Sequence, residues 1–424
     1  YMAYYTIAHR IDEIPVEDLT RAFFDTLFFG PGSVDDPDER AMALREEWQY
    51  WYPVDYRCSG NDLISNHLTF YLYHHAELFE EPDWPQGITI MGMGLLEGQA
   101  MSSSKGHVVL PSEAIERYGA DTVRFFLLNS AEPWQDYDWR SEDVQGTHDQ
   151  LARFWRRAQR LIEAEVPNER PDLERIDRWL LSKLQGVIRD VTEAMEGFST
   201  RHASQDAFYQ VEEYLRWYRK RADLERPGSV WTRAAVLRTR LRLLAPIVPF
   251  MTNELHEELE GVPVEDASWP APDPDLESEV VEAEERLVEA LHEDIRDIID
   301  VTGTEPDDIR VFTAADWKDR VFEEVVATGT DVGEVMSQVM QDDDLRSRGE
   351  AVNELVQELV ADVRERSDEE LDALQEIDEG SVYRAAADFL AGEFGATVAV
   401  VPETEADAEK ASQAEPFRPA ILLS

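Results

Sequence analysis

The sequence predicts a multidomain chain, α/β plus all-α: an α/β part first, an all-α bundle next and a small α+β part last. Three observations carry this. Residues 1–110 mix short helical stretches with strand-like pieces such as 88–91 and contain the glycine-dense run 87–106. From Asp149 to about Leu259 the apolar spacing is helical throughout; Phe208, Val211, Leu215 and Tyr218, three, four and three residues apart, share one face. Beyond the proline-rich stretch of Pro263, Pro270, Pro272 and Pro274, which cannot continue a helix, helical and β-branched segments alternate. At roughly 100–200 residues per domain, 424 residues make two to four domains.

In order along the chain, residues 111–119 and 120–128 read as two short helices, the first stopped by Gly119. The bundle's last helix ends near Leu259, ahead of Gly261, and the prolines after it read as a linker. Leu287, Val288, Leu291, Ile295, Ile298 and Ile299 mark an amphipathic helix. Residues 309–312, 396–401 and 420–423 read as strands, and the acidic run 403–409 as a solvated loop. The predicted boundaries are 1–110, 111–145, 146–276 and 277–424. Tyr1 is not an initiator, and the apolar string of Tyr1, Met2, Ala3, Tyr4, Tyr5 and Ile7 starts without a cap, as in a fragment.

Composition excludes several classes. The single cysteine, Cys58, can form neither an internal disulfide nor a cysteine-based zinc site, and a cytoplasmic protein fits. No apolar run approaches the roughly 18 residues of a membrane span, so no membrane partner is expected. The formal charge is −50, with only five lysines, Lys105, Lys183, Lys220, Lys318 and Lys410. Such a surface stays hydrated in concentrated salt, where the Debye length falls to about 3 Å near 1 M, and we read it as salt adaptation.

The charge is uneven. Residues 1–150 carry 9 basic and 27 acidic side chains, and residues 251–424 carry 12 and 49. Residues 151–250 carry 19 basic and 14 acidic side chains and are net positive. A local requirement for positive charge opposes the acidic bias there, and a polyanion is the expected partner. The cations cluster with aromatics: Arg153, Arg156, Arg157 and Arg160 around Phe154 and Trp155, then Arg216, Arg219, Lys220 and Arg221 around Trp217 and Tyr218. The aromatics are expected in the core and the arginines on nucleic acid, where guanidinium pairs phosphate bidentately and stacks on bases. A further run, Arg233, Arg238, Arg240 and Arg242, suits either that role or pairing within the bundle.

The common nucleotide signatures fail. Gly92, Gly94 and Gly98 are spaced one residue too long for a dinucleotide loop, and there is no Walker lysine or His-Glu-x-x-His helix. What remains is Met101, Ser102, Ser103, Ser104, Lys105 and Gly106, a run of hydroxyls and one ammonium suited to a phosphate. Upstream lie Tyr50 to Asp55 (YWYPVD) and Ser59 to His67 (SGNDLISNH); downstream lie Tyr118 to Arg124 (YGADTVR) and the string SAEPWQDYDWR. In this order the strings resemble the C-terminal half of a class I aminoacyl-tRNA synthetase of the archaeal leucyl type, and the likeness spans nearly the whole chain.

The resemblance implies a partial Rossmann-like catalytic domain over 1–110, a connecting segment over 111–145, a helical anticodon-binding bundle over 146–276 and a tRNA-contacting α+β module over 277–424. It places Gly60 against the adenosine, gives Asp62 the ribose hydroxyls and brings His67 to the ATP site with Met101. From the residues themselves, Asp62 suits a helix cap as well, and His67 a satisfied core histidine. The serine loop falls where the family carries its Lys-Met-Ser-Lys-Ser signature, here Ala100, Met101, Ser102, Ser103 and Ser104. Both signature lysines are replaced, and Lys105, the only lysine before residue 183, is expected to supply charge to the triphosphate as leucine attacks the α-phosphate. The family's His-x-Gly-His element is absent from this chain. Magnesium is implied with ATP, and leucine and tRNA as partners. For the C-terminal module, expected RNA contacts are Arg310, Lys318, Arg320 or the tail 417–424. The implied function is a leucine-tRNA ligase; the alternative is a degenerate paralogue that binds tRNA without activation.

Overall fold

The computed structural model describes residues 2–101 and 106–424; Ser102, Ser103, Ser104 and Lys105 lie outside the described residues. The chain divides into two compact units, residues 1–153 with 194–204, and residues 154–193 with 205–424.

In the first unit, helices α1 (Arg21–Phe29) and α2 (Glu39–Trp51) start on true caps, Thr20 accepting from the N–H of Phe23 and Asp38 from those of Arg40 and Ala41. They pack Phe23, Leu27, Leu44 and Trp48 into one core with Ile7, Ile11 and Tyr52. Strand β1 (Tyr56–Gly60) runs parallel to β2 (Gly87–Met91), Gly60 opposite Met91, with α3 (Thr69–Leu78) in the crossover. Strand β3 (Gly94–Leu96) turns through Glu97 and Gly98, both at positive φ, into β4 (Gln99–Ala100). This is the two-residue hairpin that favours glycine.

Helices α4 (Pro111–Tyr118) and α5 (Ala120–Ser130) follow at the expected places, and β5 (Tyr137–Trp139) returns parallel to β3. Ala114, Tyr118, Val123, Phe126 and Trp139 form a second core.

The long helices α6 (Ser141–Ile162) and α7 (Arg175–Glu196) are followed by α8 (Val211–Arg221), α9 (Pro227–Leu244) and α10 (Pro249–Glu260). Phe208, Val211 and Tyr218 are buried and Leu215 is partly so, as the spacing requires. In the second unit, Asp177 is fully buried and accepts from the Tyr218 hydroxyl at 2.5 Å, the Glu174 N–H at 2.8 Å and Arg226, tying the first turn of α7 to α8 and the approach to α9. Gly228 lies where a Cβ would meet the Asp172 carbonyl at 2.8 Å, so the chain passes there only without a side chain.

The proline-rich stretch is no free linker. Trp269 donates to Thr192, the Asp273 N–H to Gln185 and the Ser278 N–H to Ser182, three polar positions on one face of α7. The last segment also shares a compact unit with the bundle, which the boundary at 276 did not anticipate. Helix α11 (Glu279–Thr302) pairs Glu285 with Arg221, Glu282 with Lys183 and Glu284 with Arg175.

The C-terminal sheet has β6 (Asp308–Thr313) in the centre, parallel to β7 (Thr397–Pro402) and antiparallel to β8 (Ala420–Leu423). Ile309, Val311 and Phe312 of the central strand are fully buried. The helices include α12 (Asp316–Thr328), α13 (Glu350–Val363) and α14 (Glu379–Phe394). Lys318 belongs to the core here: its ammonium reaches the carbonyls of Ser412 and Ala414 and lies 2.9 Å from Glu403. This removes Lys318 from the candidate RNA contacts and Glu403 from the solvated acidic run.

Candidate nucleotide and nucleic-acid sites

β1 ends at Gly60, and the chain enters a tight turn (Asn61–Leu63) and then a π-helical turn (Ile64–Leu68) before α3. The carboxyl ends of parallel strands are where open α/β sheets bind ligands, and π-turns recur at functional sites. Asp62 stands there exposed, and its side chain caps nothing; its backbone carbonyl accepts from Asn66 at 3.1 Å. A Cβ at position 60 would lie 2.7 Å from the Asp62 carboxylate, so glycine leaves the room in which that carboxylate sits.

His67 is not a satisfied core residue. Its ring is partly exposed, stacks on Tyr71 at 6.4 Å and lines a cavity of about 350 Å³ with Tyr52, Phe70, His74 and His75. In α3 the buried and bonded histidine is His75, held by the Tyr71 carbonyl at 2.7 Å and the Tyr52 hydroxyl. Met101 packs its side chain against the core of Ala114, Tyr118 and Trp139, so a nucleotide contact at Met101 would come from its backbone.

Sequence reasoning passed over the aspartates that hold the loop strands. Asp136 accepts from the Met93 N–H at 2.7 Å, and Asp138 from the Gly98 N–H at 2.8 Å. The Gly98 N–H and then Arg140 hold the Asp138 carboxyl below its ordinary range. Gly92 is packed against backbone: a Cβ there would meet the Gln135 carbonyl oxygen at 2.1 Å. The string that carries these aspartates is therefore a brace for the β2–β4 region.

The second unit sorts its cations. Arg156, Arg160 and Arg216 are exposed, and among the described residues none of them makes an ion pair; the same holds for Arg153 in the first unit. Lys220 pairs with Glu393 at 3.0 Å, and Arg221 is committed to the buried Glu285, which also accepts from Trp217 at 2.7 Å. Arg157 and Arg219 both reach Glu212, whose other oxygen lies 3.5 Å from Arg240.

Arg240, 3% exposed, sits over the rings of Phe154 and Phe208 at 4.7 and 4.9 Å and donates to the carbonyls of Ala207 and Phe208. Burial lowers its pKa to about 10. Burial pushes Glu212 upward, but the charges of Arg240, Arg219 and Arg157 outweigh it and hold the carboxyl below its ordinary range. Arg238 pairs with Glu260, Arg242 bonds His256 and Arg233 bonds two carbonyls, so that run serves the bundle. In the last segment Arg310 and Arg320 pair with Asp407 and with Asp342 and Asp344.

Among the described residues no three His, Cys, Asp or Glu side chains converge as a metal site, and no helix is long and apolar enough to cross a membrane.

A parallel strand pair ending on a glycine-x-aspartate turn, followed by a basic helical bundle, is matched by two families: "tRNA synthetases class I (M)" over residues 36–153 and "Anticodon-binding domain of tRNA ligase" over residues 177–311. Over these two stretches the chain is similar to the class I tRNA synthetases. Within that class its relatives are archaeal leucine-tRNA ligases. The enzyme of Methanopyrus kandleri is 40% identical over 444 aligned residues, taking in 100% of this chain and 45% of its own length. Those of Methanothermobacter thermautotrophicus and Pyrococcus abyssi are each 38% identical, over 100% of this chain and 45% of their own lengths. The chain thus spans a little under half the length of the curated relatives it matches. The anticodon-binding match runs past the expected boundary at 276 into α11 and β6, and α11 makes its ion pairs with α7 and α8 of the bundle.

Proposed function

We propose that this chain works as part of a leucine-tRNA ligase, in the cytoplasm of a cell rich in salt. ATP and leucine give leucyl-adenylate and pyrophosphate, and the leucyl group then passes to a hydroxyl of the terminal adenosine of tRNA with release of AMP. The observation that carries the proposal is the carboxylate of Asp62 at the carboxyl end of β1, in a chain matched along its whole length by leucine-tRNA ligases.

In this proposal Gly60 allows the adenosine close to the backbone, and Asp62 accepts hydrogen bonds from the ribose hydroxyls. Ser102, Ser103, Ser104 and Lys105 face the triphosphate, with Lys105 in place of the signature lysines at Ala100 and Ser103. The backbone of Met101 and the ring of His67 border the same site. Magnesium enters with ATP, since hard oxygen ligands of the triphosphate serve it better than a dedicated protein cage. For tRNA, the exposed Arg153, Arg156, Arg160 and Arg216 are the first phosphate contacts. Arg157, Arg219, Lys220 and Arg221 contribute through charge while holding their carboxylates.

The test is leucine-dependent ATP–pyrophosphate exchange by the complete protein in molar KCl. Exchange is expected, and Lys105→Ala should lower it by about 10²- to 10³-fold, the usual cost of a lost transition-state donor. An unaltered rate in Lys105→Ala would refute the role of that lysine. A complete protein that binds tRNA but does not exchange would instead be the inactive paralogue.

A further inference from the structure

The space that a side chain at position 60 would fill is walled by two groups of opposite character. A Cβ there would lie 2.7 Å from the Asp62 carboxylate and 3.9 Å from the sulfur of Met93. Met93 stands just past the carboxyl end of β2, and it is 46% exposed. One wall is therefore a charged acceptor and the other a soft, polarizable thioether, with bare backbone between them. Hydroxyl groups suit the first wall. The face of an aromatic ring suits the second, since sulfur–ring contacts are favourable.

What fixes that sulfur is a segment 43 residues further along the chain. The Gly92 N–H donates to the Pro133 carbonyl at 2.7 Å, the Met93 N–H to the Asp136 carboxylate at 2.7 Å and the Tyr137 N–H to the Met93 carbonyl at 3.1 Å. The flanking positions have no room for side chains: a Cβ at Gly92 would meet the Gln135 carbonyl oxygen at 2.1 Å, and one at Gly94 the Tyr137 hydroxyl at 2.5 Å. With its backbone donor and acceptor both engaged, Met93 has only its thioether left to meet a ligand. The bond to Asp136 is the charge-assisted one of the set, and such bonds are roughly twice as strong as neutral ones.

We propose that Asp136 is a positioning residue for the nucleotide: it anchors Met93, whose thioether forms the wall on which the base lies while Asp62 takes the ribose hydroxyls. The identity of the occupant rests on the ligase reading above; the two-walled space and its anchor do not. A thioether grips the face of a ring and leaves its edge unread, so this wall sets how tightly ATP is held rather than which base is chosen.

The experiment measures leucine-dependent pyrophosphate exchange by the complete protein in molar KCl, with KM determined separately for ATP and for leucine. Met93→Ala should raise the KM for ATP about two- to tenfold, the range of a sulfur–ring contact, and leave that for leucine unaltered. Met93→Leu, apolar and of similar volume, should restore the value of the natural sequence. Asp136→Ala should raise the KM for ATP as Met93→Ala does, and the double variant no further, because both remove one contact. Asp136→Asn, which keeps an acceptor oxygen for the Met93 N–H, should restore it. A brace with no part in holding the nucleotide would lower the melting temperature without moving the KM for ATP, or would add to the effect of Met93→Ala; either result overturns the proposal. So does an unaltered KM in Met93→Ala while Asp62→Ala loses affinity for ATP, an outcome that leaves the ligase reading standing. Exchange absent from the natural sequence would instead overturn that reading, and the occupant with it.

Discussion

Glu212→Gln separates stability from nucleic-acid affinity. The carboxylate sits among Arg157, Arg219 at 2.8 Å and Arg240 at 3.5 Å. Glutamine keeps the size and one acceptor oxygen but removes the only charge that three guanidinium groups share. Breaking a buried pair typically costs about 3–5 kcal/mol. Here the Glu212 side chain keeps 23% of its exposure and Arg240 retains its bonds to Ala207 and Phe208, so a loss of about 2–3 kcal/mol is expected. For a unit of this size that lowers the melting temperature by roughly 4–12 °C, readable by circular dichroism in molar KCl. The same change makes the surroundings of these arginines more positive by one unit, so below the melting transition tRNA should bind as tightly as before or more so. An unchanged melting temperature would refute the view that Glu212 is the hub of the arginine cluster, and weaker RNA binding by the folded variant would refute the view that the cluster attracts RNA.

Two further perturbations test other parts. Gly92→Ala should destabilise the first unit by more than about 2 kcal/mol, because the new methyl meets the Gln135 backbone and no flexible side chain can yield; a melting curve identical to that of the natural protein would contradict this close packing. Glu379 accepts from the Ala314 N–H at 3.1 Å and the Phe417 N–H at 2.6 Å, and burial raises its pKa to about 7; burial with Asp316 nearby raises Asp319 to about 6. Both folded-state values lie above the ordinary carboxyl range, so between about pH 4.5 and 7 the folded chain holds protons that the unfolded chain has released. These two groups therefore make stability fall as pH rises through that window, and Glu379→Gln should flatten the fall in melting temperature from pH 5 to 7.5; an equal slope in the variant would count against it.

Much of the fold was legible because single-face periodicity and turn chemistry are local. Phe208, Val211 and Tyr218 went inside as their spacing demands, the helix over residues 111–118 stopped at Gly119, and residues 309–312 formed the buried central strand of the last sheet. What could not be read are pairings across large sequence separations. Nothing local to Ser182, Gln185 or Thr192 says that a stretch of prolines some ninety residues on will be held along that helix face. The basic island was visible as a sum, but the division of its arginines was not. Arg221 and Arg240 turned inward to Glu285 and Glu212, which come from other helices, while Arg156, Arg160 and Arg216 stayed outside. Of the candidate site, the family resemblance implied that Gly60 and Asp62 stand at a strand end, and β1 does end at Gly60. His67 took a cavity wall because the turn before α3 is π-helical, which no residue pattern announces.

The most direct measurement is the ATP dependence of leucine-dependent pyrophosphate exchange in Asp62→Ala, made in the complete protein. Removing the charged acceptor of the ribose hydroxyls' hydrogen bonds should cost about 1.5–3 kcal/mol, a fall of roughly 10- to 150-fold in kcat/KM for ATP. The same kcat/KM in the variant would mean that the carboxyl end of β1 does not hold the nucleotide.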